Sequence, residues 1–338
     1  VKPLPEVHIP FTGLYETLVQ PILARMLLTG IELGVFDHLE RPISAEALAG
    51  TIGTHAGNTA LLLNGLVSMD VVVKKDGLYS NAPVARTFLT QQSPTYLGDF
   101  LAAHSRFWFA PLADNMTGLV RHGPRAITRP PLPGDPAAQH ATLSLHYERA
   151  GPAQRIAALV SELPEFPAFR TMLDLGGGPG LICLAVVARH PSMKGTVFDL
   201  PAVTRIAETV IAEYGAQDRM NTVPGNYLAD DIGSGYDLVL ASATLNAAKG
   251  SLDSIMAKIR ESMTPNGVLV SLHDGLTHEH TRPPIMVASI LSTAMLGSDP
   301  AFDQGQIAGA MRRAGFRSVD SRTLETGVGP MDLDIARN

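Results

Sequence analysis

The sequence predicts an α/β protein: a doubly wound, mostly parallel sheet in the C-terminal half, preceded by a smaller, mainly helical domain with one hairpin. Three observations carry this. Thr171 to Gly180 reads TMLDLGGGPG, a buried strand running into a glycine turn, and Leu181 to Arg189 continues with the apolar spacing of a helix packed on a sheet. Further short apolar runs, Gly195 to Leu200, Tyr236 to Ala241 and Val268 to Leu272, alternate with helical segments, the βαβ signature. Ahead of them, helical spacing is followed at Val71 to Tyr79 by β-branched residues around an Asp-Gly turn, which reads as a hairpin.

Composition bounds what such a chain can do. With 338 residues, 45% hydrophobic and 17% charged, it has apolar material for two domains, one small and one of about 180 residues. A formal net charge of −6 gives no positive field to attract nucleic acid or an anionic membrane. The single cysteine, Cys183, excludes an internal disulfide and sits inside the helix after the glycine turn, where it reads as a packed small residue. No apolar stretch reaches the roughly 18 residues of a membrane span, and VKPLPEVHIP lacks the features of a signal peptide. The expected compartment is the cytoplasm.

In chain order, residues 12 to 36 carry apolar residues at helical spacing, with Pro21 early and Gly34 marking an end, and read as a long, mostly buried helix or pair. Ser44 is the expected N-cap of a short helix, and another begins at Asn58 or Thr59. Helix, helix, hairpin is a winged-helix pattern. A DNA reader would project basic or amide side chains from the helix before the wing, yet Thr59 to Met69 has no basic residue. Residues 28 to 90 hold four Lys or Arg against six Asp or Glu, which cannot neutralise phosphates, so no nucleic-acid partner is expected.

The glycine turn gives D-x-G-x-G-x-G from Asp174 through Gly176, Gly178 and Gly180. Glycines there let a ligand approach the backbone and permit positive φ. This is not the dinucleotide fingerprint, because Leu181 stands where G-x-G-x-x-G requires glycine. Nineteen residues past Gly180, a second strand ends in Asp199, placed to take ribose hydroxyls. Gly225-Asn226-Tyr227 and the end of Tyr236 to Ala241 supply two further strand ends at the same sheet edge, where an adenine could lie.

LDLGGGPG, VFDLP and GNY in that order resemble the S-adenosylmethionine (SAM) site of the small-molecule O-methyltransferase family. The resemblance runs over most of the chain. It implies a Rossmann-like, seven-stranded doubly wound sheet with an antiparallel hairpin at one edge, an N-terminal winged-helix dimerisation domain, a homodimer, SAM as cofactor and a small-molecule acceptor. On it, Asp174, Gly176, Gly178, Asp199, Leu200, Gly225, Asn226, Tyr227 and Ser242 are the expected cofactor-binding residues. The domain bounds read as 1–100 for dimerisation, 101–150 for a helical linker and pocket roof, and 151–338 for the SAM-binding domain. The aromatic stretch containing Trp108, and His146-Tyr147-Glu148-Arg149, would line the acceptor site, giving Trp108 and Tyr147 as substrate contacts to an aromatic or planar molecule. The proline-rich stretch Ala126 to Ala138 reads as a linker or surface loop.

The chemistry departs from the family. Its usual base is a histidine in an HDW-like strand-end motif, and here Asn246 and Ala247 stand at the histidine and aspartate positions. Asparagine is no base, although it can hold a substrate oxygen. At the end of the next strand His273 matches a position that is commonly acidic, so the expected catalytic pair is His273 as a relocated base, oriented by Asp274 or Asp299, with Asn246. His273, Asp274, His278, Glu279 and His280 do not have metal-ligand spacing, and no metal is expected. Three readings follow: a methyltransferase for an easily ionised, carbon or nitrogen acceptor; a SAM-binding enzyme doing other chemistry, such as decarboxylation or hydroxylation; or a non-catalytic dimeric binding protein.

Overall fold

The computed structural model describes residues 2–131 and 134–338, and the chain divides into two compact units, Val1–Ala102 and Ala103–Asn338. In the first unit a helix, α1 (Thr12–Glu32), is followed by α2 (Ala45–Ile52) and α3 (Ala56–Ser68), a hairpin of β1 (Val72–Lys75) and β2 (Leu78–Asn81), and α4 (Pro83–Phe88). Ser44 caps α2 as expected, its hydroxyl accepting from the Ala47 amide at 3.2 Å. The helix read from Asn58 starts two residues earlier, because His55 acts as the cap and its Nδ1 accepts from the Asn58 amide. Asp76 and Gly77 at the hairpin tip have φ of 49° and 79°, the left-handed pair that such a turn demands. Phe36, Leu39, Leu48, Leu63, Leu66, Val72 and Tyr79 form the core of this unit.

One expectation is corrected here. The helix read as mostly buried is α1, and among its residues only Gly30 and Ile31 are buried. Leu14, Leu18 and Ile22 are 75%, 73% and 60% exposed. The apolar spacing is real, but among the described residues nothing covers Leu14, Leu18 and Ile22.

The second unit opens with α5 (Gly98–His104), which begins in the first, a π-turn at Ser105–Phe109, and α6 (Ala110–His122). Of the proline-rich stretch 126 to 138, residues 132 and 133 lie outside the described residues. The remainder is irregular only as far as Asp135, whose carboxylate caps α7 (Pro136–Arg149) by accepting from Ala137 and Ala138. Then come α8 (Pro152–Ser161), β3 (Thr171–Leu175), α9 (Leu181–Ala188), β4 (Lys194–Asp199), α10 (Pro201–Glu213), β5 (Met220–Pro224) and β6 (Tyr236–Ser242). A 3-10 turn, Leu245–Ser251, precedes α11 (Leu252–Ser262), and β7 (Met263–His273), α12 (Pro284–Ala294), α13 (Gln306–Arg313), β8 (Ser318–Thr326) and β9 (Gly329–Arg337) complete the chain.

The sheet is seven-stranded, in the order β5-β4-β3-β6-β7-β9-β8. Strands β3 to β7 are parallel, and β9 runs antiparallel to both β7 and β8. Two apolar layers cover its faces. One gathers Ile156, Val160, Ile182, Val186, Val197 and Leu238, and the other Leu173, Phe198, Val239, Met256, Leu269 and Met311. Alternate residues of one strand therefore face opposite layers, and the strands read as unbroken apolar runs because both faces are dry. The strand order reverses between β3 and β6, which is where a doubly wound sheet opens a crevice at its carboxyl edge. Among the described residues, no helix is long and apolar enough to cross a membrane.

Candidate functional site

The crevice is built by the turns that leave β3, β4, β5 and β6. Gly176, Gly178 and Gly180 have φ of 63°, 54° and 79°, so the chain can reverse into α9 only with residues that tolerate the left-handed region. Gly176 donates its amide to the Phe198 carbonyl at 2.8 Å, which ties the turn to β4, and a Cβ there would collide with the Thr244 side chain. Asp199 closes the other side. Its Oδ2 accepts from the Gly178 amide at 2.9 Å and its Oδ1 from the Leu200 amide at 2.7 Å. Each carboxylate oxygen retains a second lone pair for a hydroxyl. Burial pushes Asp199 above the usual carboxylate range, while those amides and His140 pull it down.

The remaining expected cofactor residues divide by role. Gly225 donates to the Asp199 carbonyl at 2.9 Å, and a Cβ on it would come within 2.6 Å of the Phe198 ring, so glycine is needed to keep β5 close. Leu200 is 41% exposed and presents an apolar surface beside Asp199. Asn226 spends its side chain on its own turn, with Oδ1 accepting from Leu228, and its amide donates to Asp230 at 2.7 Å. Tyr227 is buried and donates its hydroxyl to the Thr244 carbonyl at 2.6 Å, bracing the β6 turn. Ser242, half-buried, ends β6. Asp174 is buried at the end of β3, with its carboxyl pushed up to about 7 by burial first, and Asp199 adding to the rise.

A face of α7 completes the cradle. His140, Tyr147 and Glu148 recur at seven and eight residues along it, which puts them on one side of the helix. The Trp108 indole, on the π-turn, lies tilted at 4.9 Å from the His104 ring and edge-on at 6.4 Å from His140, and His140 in turn acts on Asp199. Burial pushes His140 down and Asp199 holds it up. Tyr147 is raised, chiefly by burial. Glu148 is buried and raised well above its ordinary value, first by burial and then by Asp174. His140 has no motif of its own in the sequence. Only its helical phase with Tyr147 could have singled it out.

The expected base is corrected. His273 is 0% exposed. Its Nε2 accepts from the Thr244 and Leu245 amides at 3.0 and 2.8 Å, and its Nδ1 pairs with the Ser271 hydroxyl at 3.0 Å. Burial drives the imidazole down to about 3. Its lone pair is committed to the turn, so it can neither reach nor deprotonate an acceptor. Asn246, by contrast, is half-buried at the crevice. Its Nδ2 donates to Asp274 Oδ1 at 3.2 Å and to the Pro300 carbonyl at 2.9 Å, which fixes the amide with its oxygen unengaged among the described residues. Asp274 is raised by burial. Asp299 is paired with Lys249 at 3.1 Å. His278 and Glu279 are exposed, and His280 pairs with Asp303.

The residues fit an adenosyl sulfonium. Asp199 offers a strand-end carboxylate for a ribose, and the groups acting on it and on Asp174 are carboxyls and a thiol save His140, which suits a cation. Comparison with known proteins agrees. Residues 153–316 match the O-methyltransferase domain and residues 17–91 the O-methyltransferase dimerisation domain. The chain is 25% identical to the N,N-dimethyltransferase OxyT of Streptomyces rimosus, over 90% of each chain. It is 26% identical to the 3-hydroxy-5-methyl-1-naphthoate 3-O-methyltransferase of Streptomyces sahachiroi, over 85% of this chain and 81% of the relative. Human N-acetylserotonin methyltransferase, solved in complex with SAM, superposes with a TM-score of 0.77 at 21% identity, over 99% of both chains. With the glycine turn, the strand-end carboxylate and both domain matches in hand, the chain belongs to the SAM-dependent O-methyltransferase family.

Proposed function

We propose that the protein transfers the methyl group of SAM to an oxygen or nitrogen of a small planar molecule, with Asn246 receiving the acceptor's own N–H or O–H. The observation that carries this is the fixed amide of Asn246, whose nitrogen is held by Asp274 and Pro300 and whose oxygen has no hydrogen-bond partner among the described residues. An oxygen so presented accepts a hydrogen bond and orients a neutral phenol or amine for in-line attack. When bound, the donor supplies an electrophilic methyl on a positively charged sulfur. The chain's residues hold it and aim the nucleophile. Trp108 and His140 offer an aromatic wall, and Tyr147 lies on the same side of α7 as His140, seven residues further on.

The His273 lone pair is committed to the turn, so the acceptor's acidity sets the pH dependence. With a phenol, kcat/KM rises with pH until the acceptor's own ionisation, with no break near 6.5 from a histidine. The relatives' names span nitrogen and oxygen acceptors, which is consistent with an amide that only orients. The dimerisation-domain match and the apolar face of α1 support a homodimer.

Methyl-labelled SAM incubated with planar phenols and aromatic amines tests the reading. Label in the acceptor and one equivalent of S-adenosylhomocysteine per turnover is the expected outcome, with Asn246→Ala lowering kcat/KM by roughly tenfold. Acceptor decarboxylated or hydroxylated without label would instead assign SAM a structural place.

A further inference from the structure

The connection between α6 and α7 carries a cation that the fold does not pair. Arg129 is half-buried, and its Nη2 donates to the Ser292 carbonyl near the end of α12 at 3.1 Å. Its Nε is buried and makes no hydrogen bond. Arg129 belongs to none of the ion pairs among the described residues.

The contact with Ser292 has an ordinary use, since a cation beside the last carbonyls of a helix complements its dipole. An ammonium would serve that purpose as well, and would leave no N–H stranded. Nε and Nη2 share one edge of the planar guanidinium, so this edge is pinned at one corner and open at the other. A buried N–H without a partner is a cost that native folds rarely carry. A planar group with two acceptor oxygens fits that edge and removes the cost.

Arg129 borders the acceptor's side of the crevice through α12. That helix packs against the π-turn that carries Trp108. Its Met286, Val287 and Ile290 cluster with Leu276 and Ala301, and Ala301 follows the Pro300 whose carbonyl holds the Asn246 amide. Ser292 stands two residues past Ile290, roughly 3 Å of helical rise. Just beyond α12, a Cβ on Gly297 would lie 3.4 Å from Pro124, so the α6–α7 connection runs beside the end of the helix. One helix thus joins the support of Asn246 to the partner of Arg129. The crevice otherwise presents the carboxyls of Glu148, Asp174 and Asp199, which disfavour an anion. Selecting one therefore requires a local cation with a fixed edge.

We propose that Arg129 sets acceptor specificity: its open edge receives a carboxylate on the planar molecule, so the site selects aryl carboxylic acids over their neutral amides. Nε–H and the second Nη2–H donate to the two carboxylate oxygens, while the group to be methylated lies at Asn246. This rests on the methyl-transfer reading above and names the class of acceptor.

Calorimetric titration of the protein saturated with S-adenosylhomocysteine, using 2-naphthoate and 2-naphthamide, tests it without turnover. Wild-type protein should bind the acid roughly tenfold more tightly than the amide, the range of a charge-assisted hydrogen bond. Arg129→Met should lose that preference by weakening the acid alone, with the amide and S-adenosylhomocysteine each within about twofold of wild type. Arg129→Lys keeps the charge without the planar edge and should fall between the two. Equal wild-type affinity for acid and amide overturns the assignment, as does binding of neither beside bound S-adenosylhomocysteine. An Arg129→Met variant that weakens both aromatics alike overturns it too, because that is the signature of a helix cap. If this variant does not fold, the wild-type comparison and Arg129→Lys decide, an undiminished preference in the latter overturning the role of the planar edge. Failure of the wild-type protein to bind S-adenosylhomocysteine removes the methyl-transfer reading itself, and this one with it.

Discussion

Asn246 and His273 show what a single position can and cannot disclose. The sequence places both at strand ends and leaves the imidazole as the more reactive group. In the structure the imidazole is engaged and the Asn246 oxygen has no partner among the described residues, because hydrogen-bond partners, not residue type, decide whether a lone pair is free. His273 spends its lone pair on two backbone amides of the Thr244–Leu245 turn, a commitment invisible without the path of that turn. Its imidazole is held down to about 3 by burial, so the unfolded chain takes up a proton that the folded one refuses as pH falls below the ordinary value of 6.5. Stability present above pH 6.5 is therefore lost progressively toward pH 3. Replacing His273 with Gln removes this acid-side loss but leaves an amide unpaired at the turn, at a cost of about 1–3 kcal/mol at neutral pH. Urea unfolding of both proteins at pH 7.5 and 4.5 should show the gap narrowing at the lower pH. A gap that stays the same would mean that the imidazole titrates freely and is open to solvent.

Elements were far more legible than side-chain partners. Residues 171–200 read as strand, glycine turn, helix and strand, and they are β3, α9 and β4, because unbroken apolar runs bounded by glycine have few other solutions in a doubly wound sheet. The helix α9 is apolar on every side, with Leu181, Ile182, Cys183, Ala185, Val186 and Val187 all buried, as expected of a helix enclosed by sheet and neighbours. What the pattern does not reveal is how closely α9 approaches β4. A Cβ on Gly195 would meet Cys183 Sγ at 2.5 Å and Val187 Cγ2 at 2.9 Å, so Gly195 and Cys183 set that spacing together. Gly195→Ala should destabilise by about 1–3 kcal/mol through overpacking. Cys183→Ala should cost about 1 kcal/mol by leaving a small void. The double variant should be more stable than the sum of the two by about 1 kcal/mol, since each change relieves the other. Additivity in denaturant titrations would mean that α9 shifts freely on β4 and that the close approach is no constraint.

At the scale of the molecule, the apolar face of α1 is the feature that one protomer does not explain. A helix of 21 residues containing Pro21, with only Gly30 and Ile31 buried, lacks the packing that normally sustains helices in water. Leu14, Tyr15, Leu18 and Ile22 recur on it at spacings of one, three and four residues, and each is at least 60% exposed. Sequence periodicity identifies the stripe but not by itself what covers it, because burial within a chain and burial between chains leave the same pattern, and the exposure agrees with reading this helix as added dimer interface. The family's dimerisation domain matches this region, so a second copy of the chain is the occupant it fits. Light scattering behind size exclusion at about 10 μM should give twice the mass of the chain, a concentration at which an interface of standard size stays closed. Replacing Leu18 and Ile22 with Asp should halve that mass and reduce the helical circular dichroism by roughly the contribution of α1. The rest of the first unit keeps its fold, because neither residue belongs to the cluster around Phe36, Leu48 and Leu66. A wild-type protein that runs as a monomer, or a double variant that stays dimeric, would place the interface elsewhere and leave the exposure of α1 to be explained by another partner.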